Sequence, residues 1–232
     1  MIQTVFFDID NTLYNYDAMH LIGMKNLEAY AKKKLNLEPS FTREHLEKIR
    51  KGIFDRLGTN NCAIHDRLIR FQCFLESLGI SKPSAAIEMY HAYWGSMLEA
   101  MTPEEGVVEL IHALKKKGIK LGIGTDLTAY IQYEKLKSLG ILDEFDYIVS
   151  SEEAGAEKPS KEFFDLCLAK AGCKPEECVF IGDSVKKDVE GAIQAGMHGI
   201  WYHSKEESAY PMITSYVDCI KKDKIFLGDC II

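Results

Sequence analysis

The sequence has no surplus of basic charge. Its 28 Lys and Arg stand against 35 Asp and Glu, a formal net charge of −7 with a pI near 5.6. That balance excludes a sequence-independent grip on nucleic acid polymer, which needs a basic stripe to neutralise phosphates. A small phosphorylated substrate stays compatible with it. No stretch approaches the ~18 apolar residues that a membrane span needs. Met1-Ile2-Gln3 leads straight into an apolar run, without the basic and then long apolar segments of a secretory leader. Both features set the expectation of a cytoplasmic protein with no membrane partner. Also missing is any Cys-x-x-Cys pair: Cys62, Cys73, Cys167, Cys173, Cys178, Cys219 and Cys230 are odd in number and scattered. Reduced, mostly buried thiols are therefore expected in place of a disulfide frame or a zinc site. Internal repeats and low-complexity segments are absent too.

What is present is ordinary soluble material, 47% hydrophobic and 27% charged over 232 residues, long enough to bury a full core. The chain is organised around Thr4-Val5-Phe6-Phe7-Asp8-Ile9-Asp10-Asn11-Thr12-Leu13. The β-branched and aromatic residues ahead of Asp8 read as a strand buried on both faces, which carries charge only where it leaves its sheet. Asp8 and Asp10 thus sit at a carboxyl end, where open α/β sheets bind ligands. A solvated turn is the plain alternative, since Asp and Asn are common there.

Residues 17 to 100 hold no convincing strand. Leu46, Ile49, Ile53 and Leu57 recur at helical spacing, as do Leu68, Phe71, Phe74, Leu75 and Leu78. Gly58-Thr59-Asn60-Asn61 and Gly79-Ile80-Ser81-Lys82-Pro83 break the run, so about four helices are expected. Residues 15–101 carry 12 Lys and Arg against 10 Asp and Glu, net +2, which leaves −9 on the remainder. The expected organisation is an α/β core from residues 1–14 and 102–232, with an inserted helical domain at 15–101.

After the insert, helix and strand alternate. Thr102-Pro103-Glu104-Glu105 has the pattern of a capping box with proline at the first helical position, predicting a helix from there to Lys117. Strands are predicted at Ile119–Gly124, Phe145–Val149, Cys178–Ile181 and Gly199–Tyr202. Helices are predicted near Ala129–Leu139, Ser160–Ala171 and Val185–Ala195, the last with an inward stripe of Val185, Val189, Ala192 and Ile193. The tail from Ser204 has no clear pattern. Strands separated by single helices imply right-handed crossovers and a parallel, Rossmann-like sheet with helices on both faces.

Parallel strands share a direction, so residues leaving their carboxyl ends gather along one edge. That brings together Asp8, Asp10, Thr125, Asp126, Lys158, Asp183 and Asp188. Each alone has a bland reading: Thr125 or Asp183 as a helix cap, Lys158 as a loop lysine, Asp188 as a surface acid in a first turn. Together, five carboxyl groups face one lysine, and such a cluster does not stay ionised without a partner. A divalent cation resolves it, and oxygen ligands of this kind suit Mg²⁺, which binds one or two carboxylates and substrate phosphate. With charge screened, a carboxylate can attack phosphorus and form a phosphoaspartate, while a second acid protonates the leaving oxygen and later activates water.

Asp8-Ile9-Asp10-Asn11-Thr12, Thr125, Lys158 and Gly182-Asp183-x4-Asp188 resemble the four ordered motifs of the haloacid dehalogenase (HAD) superfamily, and the insert resembles its C1-type cap. The resemblance runs from Thr4 to Tyr202. It implies Asp8 as nucleophile, Asp10 as general acid/base, and Thr125 and Lys158 as phosphate binders. It also implies Mg²⁺ held by Asp8, the Asp10 main-chain carbonyl and Asp183, with Asp188 supporting Lys158 or a metal-bound water. One position departs from the commonest pattern: Asp126 stands where asparagine is usual. Its backbone N–H suits a phosphate, but its carboxylate repels one.

Asp10 favours phosphate-ester hydrolysis, because dehalogenases of the superfamily lack that second acid. The expected activity is therefore a phosphatase acting on a small phosphorylated metabolite such as a nucleotide or sugar phosphate. A phosphomutase shares the four motifs. A non-catalytic, phosphorylatable receiver-type module is the alternative from another class, although such modules place their acceptor on a middle strand and carry no large helical insert here. Tyr14, Tyr16, His20, Arg56, Arg67 and Arg70, in or near the insert, are candidates for stacking on a base or meeting an anion.

Overall fold

The structure is a computed structural model that describes residues 1–58, 60–202, 209–222 and 224–232. Thr59 and Ser204, named above, lie outside them. The chain forms two compact units, Met1–Asn15 with Thr102–Ile232, and Tyr16–Met101.

The first unit is built on six strands: β1 (Thr4–Phe7), β2 (Lys120–Thr125), β3 (Tyr147–Ser150), β4 (Cys178–Gly182), β5 (His198–Tyr202) and β6 (Met212–Ile213). They lie in the order β3-β2-β1-β4-β5-β6, every neighbouring pair parallel. The fold class is thus the α/β, Rossmann-like arrangement expected. β1 is central because it can be buried on both faces; Val5, Phe6 and Phe7 have no exposed surface. Register then fixes the packing. Phe6 pairs with Gly122 on one side and Phe180 on the other, and its ring stacks on Phe180 at 6.3 Å. Glycine at 122 and 124 leaves room for those rings. A Cβ at Gly122 would lie 2.3 Å from Phe6, and one at Gly124 would lie 2.5 Å from Phe180.

The second unit contains α1 (Tyr16–Tyr30), α2 (Pro39–Leu57), α3 (Arg67–Ser77) and α4 (Pro83–Ala100). Proline opens α2 and α4, where its missing N–H costs nothing. The Asp66 carboxylate caps α3, accepting from the Leu68 and Ile69 amides at 2.7 and 3.1 Å. α1 and α4 approach closely at Gly23, where a Cβ would meet the Tyr93 ring at 2.9 Å.

In the first unit the helices are α5 (Val107–Lys116), α6 (Ala129–Ser138), the single turn α7 (Ser151–Ala154), α8 (Lys161–Ala171) and α9 (Glu190–Gln194). Two expectations are corrected here. The helix predicted from Thr102 begins at Val107. The Glu104 amide donates to the Leu13 carbonyl at 2.8 Å, and Gly106, at φ 83°, turns the chain into α5, so tertiary pairing overrides the capping-box pattern. The helix predicted from Val185 opens with a wide turn, Val185–Val189, in which the Val189 amide reaches the Ser184 carbonyl at 3.3 Å. That extra residue per turn rotates the expected stripe: Asp188 is buried and Ile193 is 46% exposed. Beyond β6 the tail forms a small antiparallel sheet of β7 (Ile220–Lys221), β8 (Lys224–Leu227) and β9 (Cys230–Ile231). No helix among the described residues is long and apolar enough to cross a membrane.

Gly124→Ala is expected to destabilise the protein by roughly 1–3 kcal/mol, the usual cost of overpacking a filled core. Urea denaturation checks it, and an unchanged midpoint would show that the Phe180 ring yields freely.

Candidate active site

The strands end in register, so the chains that leave them converge. The Asp8 amide still donates to the Ile181 carbonyl of β4 at 2.9 Å, which carries the ladder one residue past β1 and fixes where its carboxyl group emerges. Lys158, from the loop between α7 and α8, reaches the same place. Its ammonium donates to Asp8 Oδ1 at 2.8 Å and to the Gly124 carbonyl at 3.1 Å, and pairs with Asp188 Oδ1 at 2.7 Å. The rings of Phe180 and Phe163 lie 5.4 and 5.9 Å from it, a cation–π setting. Burial alone would lower the lysine's pKa, but Asp188 and Asp8 outweigh that and hold it well above its ordinary value.

Asp188 is aimed inward by the wide turn, and its Oδ2 accepts the Ser184 amide at 3.0 Å. Gly182 makes this possible, since a Cβ there would lie 2.3 Å from the Asp188 carboxyl. The helix-cap reading of Asp183 does not hold, because Ser184 Oγ takes the capping bond from the Lys187 amide at 3.3 Å. Oxygens of Asp8, Asp183 and Asp188 lie within 4.8 Å of one another. Burial pushes the Asp8 carboxyl up to about 8 against the pull of Lys158, with Asp188, Asp183 and Asp10 adding to the rise. Burial and Asp188 push Asp183 up to about 6. The group holds more negative charge than Lys158 cancels. Its donors are all carboxylate oxygens, the set a hard divalent cation requires, so these residues fit the metal that the sequence pattern implies.

Asp10 lies outside that group. Its Oδ1 accepts from Tyr14 OH at 2.5 Å and from Lys135 Nζ at 2.6 Å, and its Oδ2 from Lys135 at 2.8 Å. Lys135 projects from α6 and is fully buried. Nothing in the sequence marked it, because at its spacing a lysine on a helix reads as solvated. Its burial on the inward face of α6, beside Ile131, Gln132 and Leu136, is the signal, and that appears in the structure alone. Tyr14, read above among candidates for contacting a substrate, is instead a partner of Asp10.

Thr125 closes β2 with its side chain buried. Gln132 Nε2 donates to its Oγ1 at 2.6 Å and to the Asp126 carbonyl at 2.6 Å, while the threonine hydroxyl donates to that carbonyl at 3.2 Å. Gln132 therefore fixes the threonine oxygen, and the hydroxyl hydrogen is directed at the Asp126 carbonyl. The Asp126 carboxylate, which the sequence reading expects to repel a phosphate, is committed to other partners. Asp126 Oδ1 accepts the Lys158 amide at 3.0 Å and Oδ2 the Lys187 ammonium at 2.8 Å. Burial would raise this carboxyl, but Lys158 and Lys187 bring it below the usual range. Nor does it cap α6, where Glu152 accepts the Ala129 amide at 2.8 Å. Asparagine could not pair with Lys187 in this way; here Asp126 splints the loop that delivers Lys158.

Of the other insert residues, Tyr16, His20, Arg67 and Arg70 line one cavity of about 330 Å³ within the second unit, whereas Arg56 faces Cys73 at 4.0 Å.

Three comparisons agree with this geometry. The family model for Haloacid dehalogenase-like hydrolase matches residues 5–202. Ribulose-1,5-bisphosphate 5-phosphatase of Halopiger xanaduensis is 32% identical over 210 residues, covering 90% of this chain and 87% of that one. Glyceraldehyde 3-phosphate phosphatase of Methanopyrus kandleri is 33% identical over 198 residues, covering 85% and 82%. Among solved structures, a 2-haloacid dehalogenase from Pseudomonas syringae superposes with a TM-score of 0.76 at 25% identity, covering 93% and 95%.

An acid whose folded pKa is raised adds stability at low pH and loses it as pH rises through the folded value. For Asp8 that window runs from about 4 to about 8. In chelator, the melting temperature is expected to fall between pH 6.5 and 8.5 by about 2 °C or more, the shift that ~1 kcal/mol gives a chain of this length. Asp8→Asn flattens that fall and leaves the protein no less stable, as differential scanning fluorimetry would show. An equal fall in both proteins would contradict the buried-charge account.

Proposed function

The chain belongs to the haloacid dehalogenase-like hydrolase family and is a phosphoric monoester hydrolase, and we propose that it cleaves a small phosphorylated metabolite of the sugar-phosphate or nucleotide type through a phosphoaspartate on Asp8. The observation that carries this reading is Lys158 bridging Asp8 and Asp188, with Asp183 in the same acidic group and Asp10 held separately two residues from Asp8. Tyr16–Met101 acts as the cap that contacts the substrate beyond its phosphate. The two relatives named above are phosphatases of phosphorylated sugars, which supports the substrate class.

Asp8, Asp183 and the main-chain carbonyl of Asp10 would hold Mg²⁺, with Asp188 fixing Lys158. The cation would supply the positive charge that lets an anionic carboxylate approach an anionic phosphate. Lys158 holds one oxygen of Asp8 and leaves the other for phosphorus. As the Asp8 O–P bond forms and the ester P–O bond breaks, Lys158 and Thr125 bind the phosphoryl oxygens and Asp10 gives a proton to the leaving oxygen. Asp10 then takes a proton from water, whose oxygen attacks phosphorus. Inorganic phosphate leaves and the Asp8 carboxylate is restored. Lys135 and Tyr14 aim Asp10 for both transfers. The same placement favours hydrolysis over dehalogenation, where no leaving group needs a proton.

Release of inorganic phosphate from an aryl phosphate should require Mg²⁺ and stop in chelator. Asp8→Asn should lower it on the order of 10⁴-fold or more, the size of loss seen when a nucleophile is removed. Magnesium-independent turnover, or full activity in Asp8→Asn, would sink the proposal.

Lys135→Met is expected to lower kcat by roughly 10²-fold, at the lower end of what general acid/base catalysis supplies, with KM little changed. Steady-state kinetics checks it; a loss confined to KM would assign Lys135 to binding instead.

A further inference from the structure

The helical unit holds a charge imbalance of its own. Its cavity of about 330 Å³ is lined by four arginines, Arg43, Arg50, Arg67 and Arg70, with Tyr16, His20, Phe71 and Tyr93 among its walls. Two of the arginines are already answered. Glu28 Oε1 accepts from Arg43 at 2.8 Å, and Glu47 takes Arg50 through both carboxylate oxygens. The other two have no carboxylate partner among the described residues. Arg67 donates to Tyr16 OH at 3.0 Å and to the His65 carbonyl at 3.2 Å, its guanidinium 5.4 Å from the Tyr93 ring centroid. Arg70 donates one bond, from Nη2 to the Ile64 carbonyl at 3.2 Å, and its buried Nε has no acceptor.

Arg70 is only 9% exposed, and burying a cation with a donor unmet is costly unless something arrives to meet it. Burial first, and then the neighbouring Arg67 and Arg50, pull its guanidinium down to about 9. His20, beside the same arginines, is pulled below its ordinary value by burial and then by Arg67 and Arg70. It adds no cation of its own at neutral pH. With Arg43 and Arg50 neutralised by glutamates, the surplus facing the cavity is two charges. Planar guanidinium groups favour forked bonds to phosphate or carboxylate oxygens.

We propose that this cavity is a binding site for a compact dianion, a phosphoryl or paired-carboxylate group, held by Arg67 and Arg70. The dianion has two sources: a second anionic group on the substrate, or a separate small anion that sets activity. The site needs no hydrolysis to exist, so its failure and that of the phosphatase reading are distinguishable.

The full-length protein tests it in two arms. In the first, thermal stability is measured in anion-poor buffer with added sodium sulfate, for the wild type, Arg70→Met and the double variant Arg67→Met/Arg70→Met. The expected result is that Arg70→Met melts no lower than wild type without sulfate, since the unmet charge is gone. Sulfate in the millimolar range should raise the wild-type melting temperature by several degrees more than that of either variant. Equal sulfate stabilisation in all three proteins would overturn the proposal. Should the double variant fail to fold, Arg70→Met alone decides.

The second arm assigns the source by comparing an aryl phosphate with a sugar bisphosphate as substrates. If the dianion belongs to the substrate, Arg70→Met lowers kcat/KM for the bisphosphate at least 30-fold, mainly through KM, and that for the aryl phosphate less than 3-fold. If the anion is separate, sulfate changes aryl-phosphate turnover in the wild type and not in Arg70→Met. Neither response in the wild type, with unchanged kinetics in Arg70→Met, would overturn a functional role for the site.

Discussion

The first unit depends on a contest between burial and charge at the carboxyl edge of its sheet. Asp8, Asp183 and Asp188 are drawn close by strands whose register is set by apolar packing, and one lysine must serve them. Carboxylates this close repel one another when ionised, by about 4 kcal/mol per pair at an effective dielectric of about 20, and it is burial together with this repulsion that raises Asp8 and Asp183. The fold tolerates it because the sheet beneath cannot relax. Phe6, Phe180, Phe163 and Phe164 interlock over Gly122 and Gly124 and hold the strands at fixed spacing. The strain is therefore stored where a cation and a phosphate would relieve it, which is what a preorganised polar site requires.

Around that centre the cations are distributed so that each acid has a different environment. Lys158 serves Asp8 and Asp188, Lys135 serves Asp10, and Lys187 serves Asp126. Two carboxyl groups only two residues apart, at 8 and 10, thereby receive separate surroundings. Separate surroundings are what the proposed division of labour, one carboxyl as nucleophile and the other as proton carrier, would require. Lys187 acts one step further back: by pairing with Asp126, it keeps that carboxylate turned toward the Lys158 amide and steadies the loop from beneath.

Much of this was legible in the sequence because it follows from strand direction alone. Alternating apolar runs and helices give a parallel sheet, and a parallel sheet collects what leaves its carboxyl ends, so Asp8, Lys158, Asp183 and Asp188 needed no further information to be brought together. What sequence could not yield depended on rotation and reach. Lys135 shares its spacing with surface lysines, and only the packing of α6 turns it inward. Ile193 falls off the inward stripe that a regular helical period predicts, because one residue of wide turn shifts every later side chain by about a quarter turn or more. The start of α5 was misplaced because the local Thr-Pro-Glu-Glu pattern competed with a backbone bond to Leu13, which lies more than 80 residues away along the chain.

The two units show the same physical device with opposite sign. In the first, carboxylates outnumber the lysine that answers them; in the second, arginines outnumber the glutamates. Neither imbalance helps folding, since each leaves buried charge partly unanswered, and apolar residues of similar size would give a more stable chain. A selective reason to keep both is that each is satisfied by something the polypeptide does not contain. The net −9 on residues 1–14 and 102–232 and the net +2 on residues 15–101 have the same signs as these two local imbalances. Under the two proposals above, a cation with a phosphate would answer the first imbalance and an anion the second.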